Sequence, residues 1–317
     1  MYSDTHFHFQ HLARRFGLQG GAELLAAMGR NGTAFGMDIG TRSGDLLPRM
    51  ETVHECLCLV DDAGLRRSAG ACIRFSAGIW PDPGAIRERV SGVAELAGQI
   101  ACGNADTSLF PGRVAAVGEC GLDHHWNSSG AADCGAALLS GERELFAMQL
   151  ELARRLSLPV VVHSRDAFAD TLGVIADCGY DCGVIHCFSY GLDEARAFLD
   201  RGWYLAFGGA VTYTKKSCMP DMERLLRYVP ADRLLLSAVT TALIGWAAVQ
   251  VFSGTQDIRL MSYVVFIAAL CPTGMSVSSF AVIFGKDESY ASMLVAVTSA
   301  LCLVTLPASI ALAERLF

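Results

Sequence analysis

Charge of either sign almost vanishes from this sequence after residue 236. Only Asp257, Arg259, Lys286, Asp287, Glu288, Glu314 and Arg315 carry it there. Three stretches, 234–256, 260–285 and 289–313, have none at all. Each is longer than the roughly 20 apolar residues that cross a bilayer as a helix. A soluble domain rarely carries three such runs in succession, so the pattern predicts about three transmembrane-type helices. Two further absences bound the rest of the chain. The N-terminal MYSDTHFHFQHLARRFG has no apolar run, so a cleaved signal peptide is not expected. Lys and Arg number 25 against 32 Asp and Glu. That deficit excludes a protein that wraps nucleic acid through many phosphate contacts.

Cysteine is present but not patterned. Twelve are scattered along the chain, and Cys178 and Cys182, four apart, have no second pair at matching spacing. Reduced thiols in a cytoplasmic body are expected, not a disulfide scaffold or a zinc knuckle.

The charged front reads as strand alternating with helix. Short apolar runs stand at 33–40, 73–80, 113–123, 158–166, 182–189 and 203–211, several of them apolar on both faces, as buried parallel strands are. The segments 141–157, 166–179, 191–202 and 219–229 carry apolar residues at helical spacing. With MYSDTHFHF before them and DRLLL after, the strands approach eight. This predicts an α/β fold of the (β/α)8 TIM-barrel type over residues 1–236, followed by the hydrophobic segment 237–317. Neither the strand LLL nor a helix after it completes the eighth βα unit.

The candidate chemistry falls where the apolar runs stop. His6 and His8 are two apart, so on a strand they share a face. Glu119 closes VAAVGE, His163 closes VVVH and His186 closes GVIH. In a (β/α)8 barrel these ends ring the mouth where active sites are built. A single histidine of this kind is more often structural, and His11, His54 and His125 are read that way. Four imidazoles and a carboxylate converging on one mouth suit a pair of divalent ions, with the carboxylate able to bridge them. Paired ions generate a hydroxide and clamp both oxygens of a phosphodiester displacement, so an acidic protein can still act on a phosphodiester.

In order and spacing, SDTHFHF, VGECGLDHHW, LPVVVHSRDA, VIHCFSYG and ADRLLL resemble the TatD family of metal-dependent DNases. The resemblance implies an amidohydrolase-like TIM barrel, two divalent ions (Mg, Mn or Zn) and 3′→5′ exonuclease activity on DNA or another phosphodiester. It implies that His6 and His8 hold one ion, His163 and His186 the other, and that Glu119 bridges them. Asp123 and Arg165 fall at motif positions that support the site or the phosphate. Two departures stand out. Trp80 occupies the place of a family histidine in GIWP. Val239 stands where the family has the aspartate of LLLETDAP, a metal ligand and the residue that orients the attacking water. Valine does neither, so impaired activity is expected.

The tail, from IAALCPTGMSVSSF onward, resembles the C-terminal end of auxin efflux carrier-type permeases. The change of solvent at Leu234–Ser237 reads as a join between two unrelated genes. Lys215, Lys216, Arg224, Arg227 and Arg233 precede the first hydrophobic run. They favour a cytoplasmic barrel attached to the inner membrane. The alternative is a non-functional chimera, a permease fragment carrying a metal-binding pseudoenzyme domain.

Overall fold

The computed structural model describes residues 2–105, 114–127, 132–208 and 218–236. These belong to two compact units. In the first, eight parallel strands follow in chain order: β1 (Tyr2–Phe7), β2 (Thr33–Asp38), β3 (Ile73–Ala77), β4 (Val114–Asp123), β5 (Val160–Arg165), β6 (Gly183–His186), β7 (Tyr204–Phe207) and β8 (Leu234–Leu236). Each pairs with the next in one sheet. β8 returns to the side of β1 without a ladder between them among the described residues. The result is a nearly closed barrel of the TIM type. β8 has only three residues, paired in register with Leu205, Ala206 and Phe207.

The helices between the strands are α1 (Phe9–Arg30), α2 (Leu46–Cys58), α3 (Ala63–Cys72), α4 (Pro83–Arg87), α5 (Arg89–Ala105), α6 (His124–Asn127), α7 (Ala132–Leu156), α8 (Phe168–Cys178) and α9 (Leu192–Leu199). The second unit's described part is one helix, α10 (Met219–Tyr228), which carries a Glu223–Arg227 pair at 2.8 Å. The expected hydrophobic helices of 237–317, the position of Val239 and the permease-like segment lie outside the described residues. Among the described residues no helix is long and apolar enough to cross a membrane.

β3, β4 and the apolar part of β5 are largely buried on both faces, as parallel strands covered by helices are. Phe75, Val117, Val160, Val162 and Leu205 have no exposure. Helix α7 starts at Ala132, nine residues before its periodicity becomes readable at 141. It turns polar side chains inward: Glu142 and Gln149, seven residues apart, are both fully buried. Gln149 accepts from the Ile79 N–H at 2.8 Å and donates to the Ile79 carbonyl at 3.0 Å. That pair of bonds clips the loop after β3 to the helix.

β4 is the irregular strand. The run expected over 113–123 is the strand Val114–Asp123, but Glu119, read as closing VAAVGE, lies inside it and not at its end. Its register with β5 slips between Gly118 and Cys120, which makes Glu119 the extra residue of a bulge. The Glu119 N–H therefore leaves the β5 ladder and donates to the Gly40 carbonyl at 2.6 Å. The bulge needs its glycines. Gly118 and Gly121 have φ of 144° and 138°, which side chains rarely adopt. A Cβ on Gly121 would also collide with the His163 carbonyl oxygen of β5.

Candidate metal centre at the carboxyl ends of the strands

His6, Glu119 and His186 come together at the barrel mouth, their ligand atoms all within 4.8 Å of one another. The His6 and His186 rings stack in parallel with centroids 3.5 Å apart. The three arrive by different routes. His6 is next to last in β1, His186 ends β6, and the β4 bulge aims Glu119 between them.

Their protonation suits cation binding. Burial lowers the His6 pKa well below the ordinary 6.5, and the neighbouring His186 adds to the effect. Burial likewise lowers His186 to about 4. Burial opposes the charge of Glu119, but the His163 hydrogen bond and the positive potential of His186 and His6 overcome it and hold the carboxyl at about 2. At neutral pH the group is two neutral imidazoles around one carboxylate. The 3.5 Å approach of His6 Nε2 to Glu119 Oε2 is therefore no ion pair. Neutral imidazole nitrogen and carboxylate oxygen are the donors that zinc and similar divalent ions take, so the residues present fit such an ion.

His8 lies one residue beyond β1, with φ of −121° and ψ of 84°. It precedes α1, its ring edge-on to His6 at 5.1 Å. Its Nδ1 sits 3.1 Å from the Ile39 carbonyl, which leaves Nε2 for a ligand. His163 has both nitrogens engaged. Nδ1 is 3.0 Å from Glu119 Oε1 and Nε2 is 2.8 Å from Asp123 Oδ2. Burial works against its charge, yet the hydrogen bonds with Asp123 and Glu119 raise its pKa to about 9. To act as a ligand it must give up one carboxylate.

Asp123 is 1% exposed. Its Oδ1 accepts from the Trp126 N–H at 3.0 Å, and its own N–H donates to Glu142 Oε1 at 2.6 Å. Glu142 also accepts from Asn127 Nδ2 at 2.8 Å. Arg165 ends β5, exposed. It is a minor contributor to the lowered Asp123 pKa, where burial opposes and the His163 hydrogen bond leads the lowering. Trp80 stands edge-on to His163 at 5.7 Å. With Glu119, Thr41, Arg42 and Asp82 it lines a mouth cavity of about 590 Å³.

Sequence reasoning passes over the support of His8. Asp38 Oδ1 accepts from the Phe9 N–H at 2.8 Å, and Asp38 Oδ2 holds Arg49 Nη1 at 2.6 Å. Arg49, 3% exposed, also donates to the Ser76 carbonyl at 2.6 Å. One buried guanidinium thus ties the ends of β2 and β3 to α2. The available signal was an arginine, inside an otherwise apolar helix face, eleven residues after an aspartate that ends a strand. His11, read as structural or solvated, lies beside His8 with ring centroids 5.5 Å apart. His125 faces Asp166 at 3.3 Å on the surface. His54 lies 3.6 Å from Cys58. Cys178 and Cys182 are free thiols outside any metal-type cluster among the described residues.

A parallel barrel with imidazoles and a carboxylate gathered at its strand ends belongs to the metal-dependent hydrolase class. The family model of TatD related DNases matches residues 3–237, and the chain belongs to that family. It is 35% identical over 126 residues to the "uncharacterized metal-dependent hydrolase YabD" of Bacillus subtilis, covering 39% of this chain and 45% of that protein. It is 40% identical over 126 residues to the "3'-5' ssDNA/RNA exonuclease TatD" of Cronobacter turicensis, covering 39% and 44%. The matched stretch thus spans under half the length of these curated relatives. The crystal structure of YjjV, a TatD homologue from Escherichia coli K12, superposes with a TM-score of 0.50 at 23% identity, over 74% of this chain and 77% of that one. That likeness speaks to the fold.

Proposed function

We propose that the barrel is a phosphodiester hydrolase dependent on two divalent ions, of TatD DNase type, acting from the 3′ end of DNA or RNA. The observation that carries this reading is the convergence of His6, His186 and Glu119 within 4.8 Å at the mouth. His6, His186 and Glu119 would hold the ions, together with His8 and His163. Bound ions of this kind supply a nucleophilic hydroxide and neutralise the phosphate. The chain's own residues do the placing. Asp123 orients the His163 ring, the Ile39 carbonyl orients His8, and Trp80 walls the mouth beside Glu119.

Val239 is part of the proposal. By family resemblance it replaces an aspartate that binds metal and orients water, and positioned proton transfer contributes about 10²–10⁴-fold. Turnover of the parent chain is therefore slow, and Val239→Asp raises it. The test is release of nucleotides from an oligodeoxynucleotide with Mn²⁺ or Mg²⁺, in the parent, in Val239→Asp and in a His6→Ala/His8→Ala double variant. A double variant as active as the parent removes the metal reading. The same valine favours a second reading, a metal-binding barrel without turnover joined to a permease-like, membrane-attached tail. About two bound ions per chain with no turnover in either the parent or Val239→Asp would select it.

A further inference from the structure

A second cavity, of about 480 Å³, opens beside the candidate metal centre, and His8, His11, Arg14 and Arg42 are among the residues that line it. It shares Thr41 and Arg42 with the cavity over Glu119 and Trp80, so the two adjoin across the loop after β2. Its acidic groups are already engaged. Asp45 accepts from the N–H groups of Thr41 at 2.8 Å and Arg42 at 3.1 Å, and meets Arg49 Nε at 3.0 Å. Glu95 accepts from the Ser43 hydroxyl at 2.5 Å. Arg49 is buried and held by Asp38 and Asp45.

Arg14, on α1, and Arg42 differ from all of these. Both are exposed, and neither has a carboxylate partner among the described residues. An acidic protein thus keeps two guanidinium groups uncommitted in a trough that adjoins its candidate catalytic mouth. Guanidinium is the side chain suited to phosphate, through paired N–H donors. A hydrolase of isolated phosphoesters needs one anion site. A polynucleotide brings a further phosphate with every nucleotide.

We propose that this trough binds the phosphodiester next to the scissile one in a single-stranded nucleic acid, with Arg14 and Arg42 as its phosphate ligands. The proposal rests on the phosphodiesterase reading of the mouth. It explains how a chain of net charge −7 retains a polyanion: two cations are placed locally where a general positive field is lacking.

The test is equilibrium binding of a short fluorescein-labelled single-stranded oligodeoxynucleotide to the full chain in EDTA, across about 50 to 200 mM salt. The parent should bind more weakly as salt rises. Each phosphate contact to a single strand contributes about 0.7 to the slope of log affinity against log salt, so Arg14→Ala/Arg42→Ala should flatten it by about 1.4. Arg14→Lys/Arg42→Lys should keep a slope near the parent's, and Arg66→Ala/Arg67→Ala, on α3 and away from both cavities, should change nothing. A parent that does not bind, or an alanine variant with the parent's slope, overturns the proposal. Nucleotide release with Mn²⁺, measured on the same preparations, separates the two readings. Arginine-dependent binding with no cleavage by either the parent or Val239→Asp keeps the trough and removes the hydrolase, whereas cleavage without an arginine-dependent slope removes the trough alone.

Discussion

The two sides of the barrel mouth handle charge in opposite ways. On the β4–β5 side the carboxylates Glu119, Asp123 and Glu142 are buried and committed: Glu119 and Asp123 both grip His163, and Glu142 takes the Asp123 N–H. On the side of α1 and the loop after β2, Arg49 is committed in the same manner, but Arg14 and Arg42 stand exposed without carboxylate partners. Burying a charge is costly unless it is paired and hydrogen-bonded. The buried side is therefore rigid and suited to holding ligand atoms in place. The exposed side is suited to receiving an anion from solvent. A site that must bind metal ions and also admit a charged polymer needs both.

The largest expected effect breaks the rigid side at its centre. Glu119→Ala removes the only carboxylate of the three-residue cluster. It should lower nucleotide release by about 10³-fold or more, since it removes a ligand around which nucleophile generation is organised. Activity within a few-fold of the parent's would show that Glu119 is not a ligand. Next comes Arg49→Met, which leaves Asp38 buried without its partner. Removal of one member of a buried pair costs about 3–5 kcal/mol, read as a fall in denaturant midpoint. If the midpoint barely moves, the comparison between committed and uncommitted arginines loses its basis. Asp123→Asn tests the brace behind His163. Such outer partners are worth about 10–100-fold in metal affinity or activity, and metal titration of parent and variant should show a loss in that range. Equal metal affinities would reduce Asp123 to a packing residue.

Much of this was legible in the sequence, for reasons that differ by element. In strands β5 and β6 the apolar run stops on a histidine, which is the last residue of β6 at His186 and stands two residues before the end of β5 at His163. In β4 the extent was legible but the place of Glu119 was not, because a bulge does not interrupt an apolar pattern. Glu119 looked like a terminus, whereas it is the extra residue of a strand that continues to Asp123. Helices α1 to α5 gave no clear reading. In α1 the periodicity is broken at Gly17, whose φ of 76° kinks the helix. The roles of Arg49, Glu142 and Gln149 depend on partners 11 to 70 residues away. No local pattern encodes such pairings.

The smallest effect concerns Glu142 and sharpens the comparison through pH. Burial raises its pKa above the ordinary 4.5, although hydrogen bonds from the Asp123 N–H and Asn127 pull the other way. The folded chain therefore retains this proton to a higher pH than the unfolded chain does. Stability falls with pH wherever the native state binds more protons. The penalty is absent well below pH 4.5, grows as pH rises through 4.5, and is complete once the raised folded pKa is passed. Glu142→Gln keeps an acceptor for the Asp123 N–H and removes the titration. Relative to the variant, the parent should lose melting temperature across that window and hold a constant difference above it. A difference that is flat with pH would mean that the carboxyl titrates as it does in the unfolded chain, and that the hydrogen bonds from Asp123 and Asn127 cancel its burial in full.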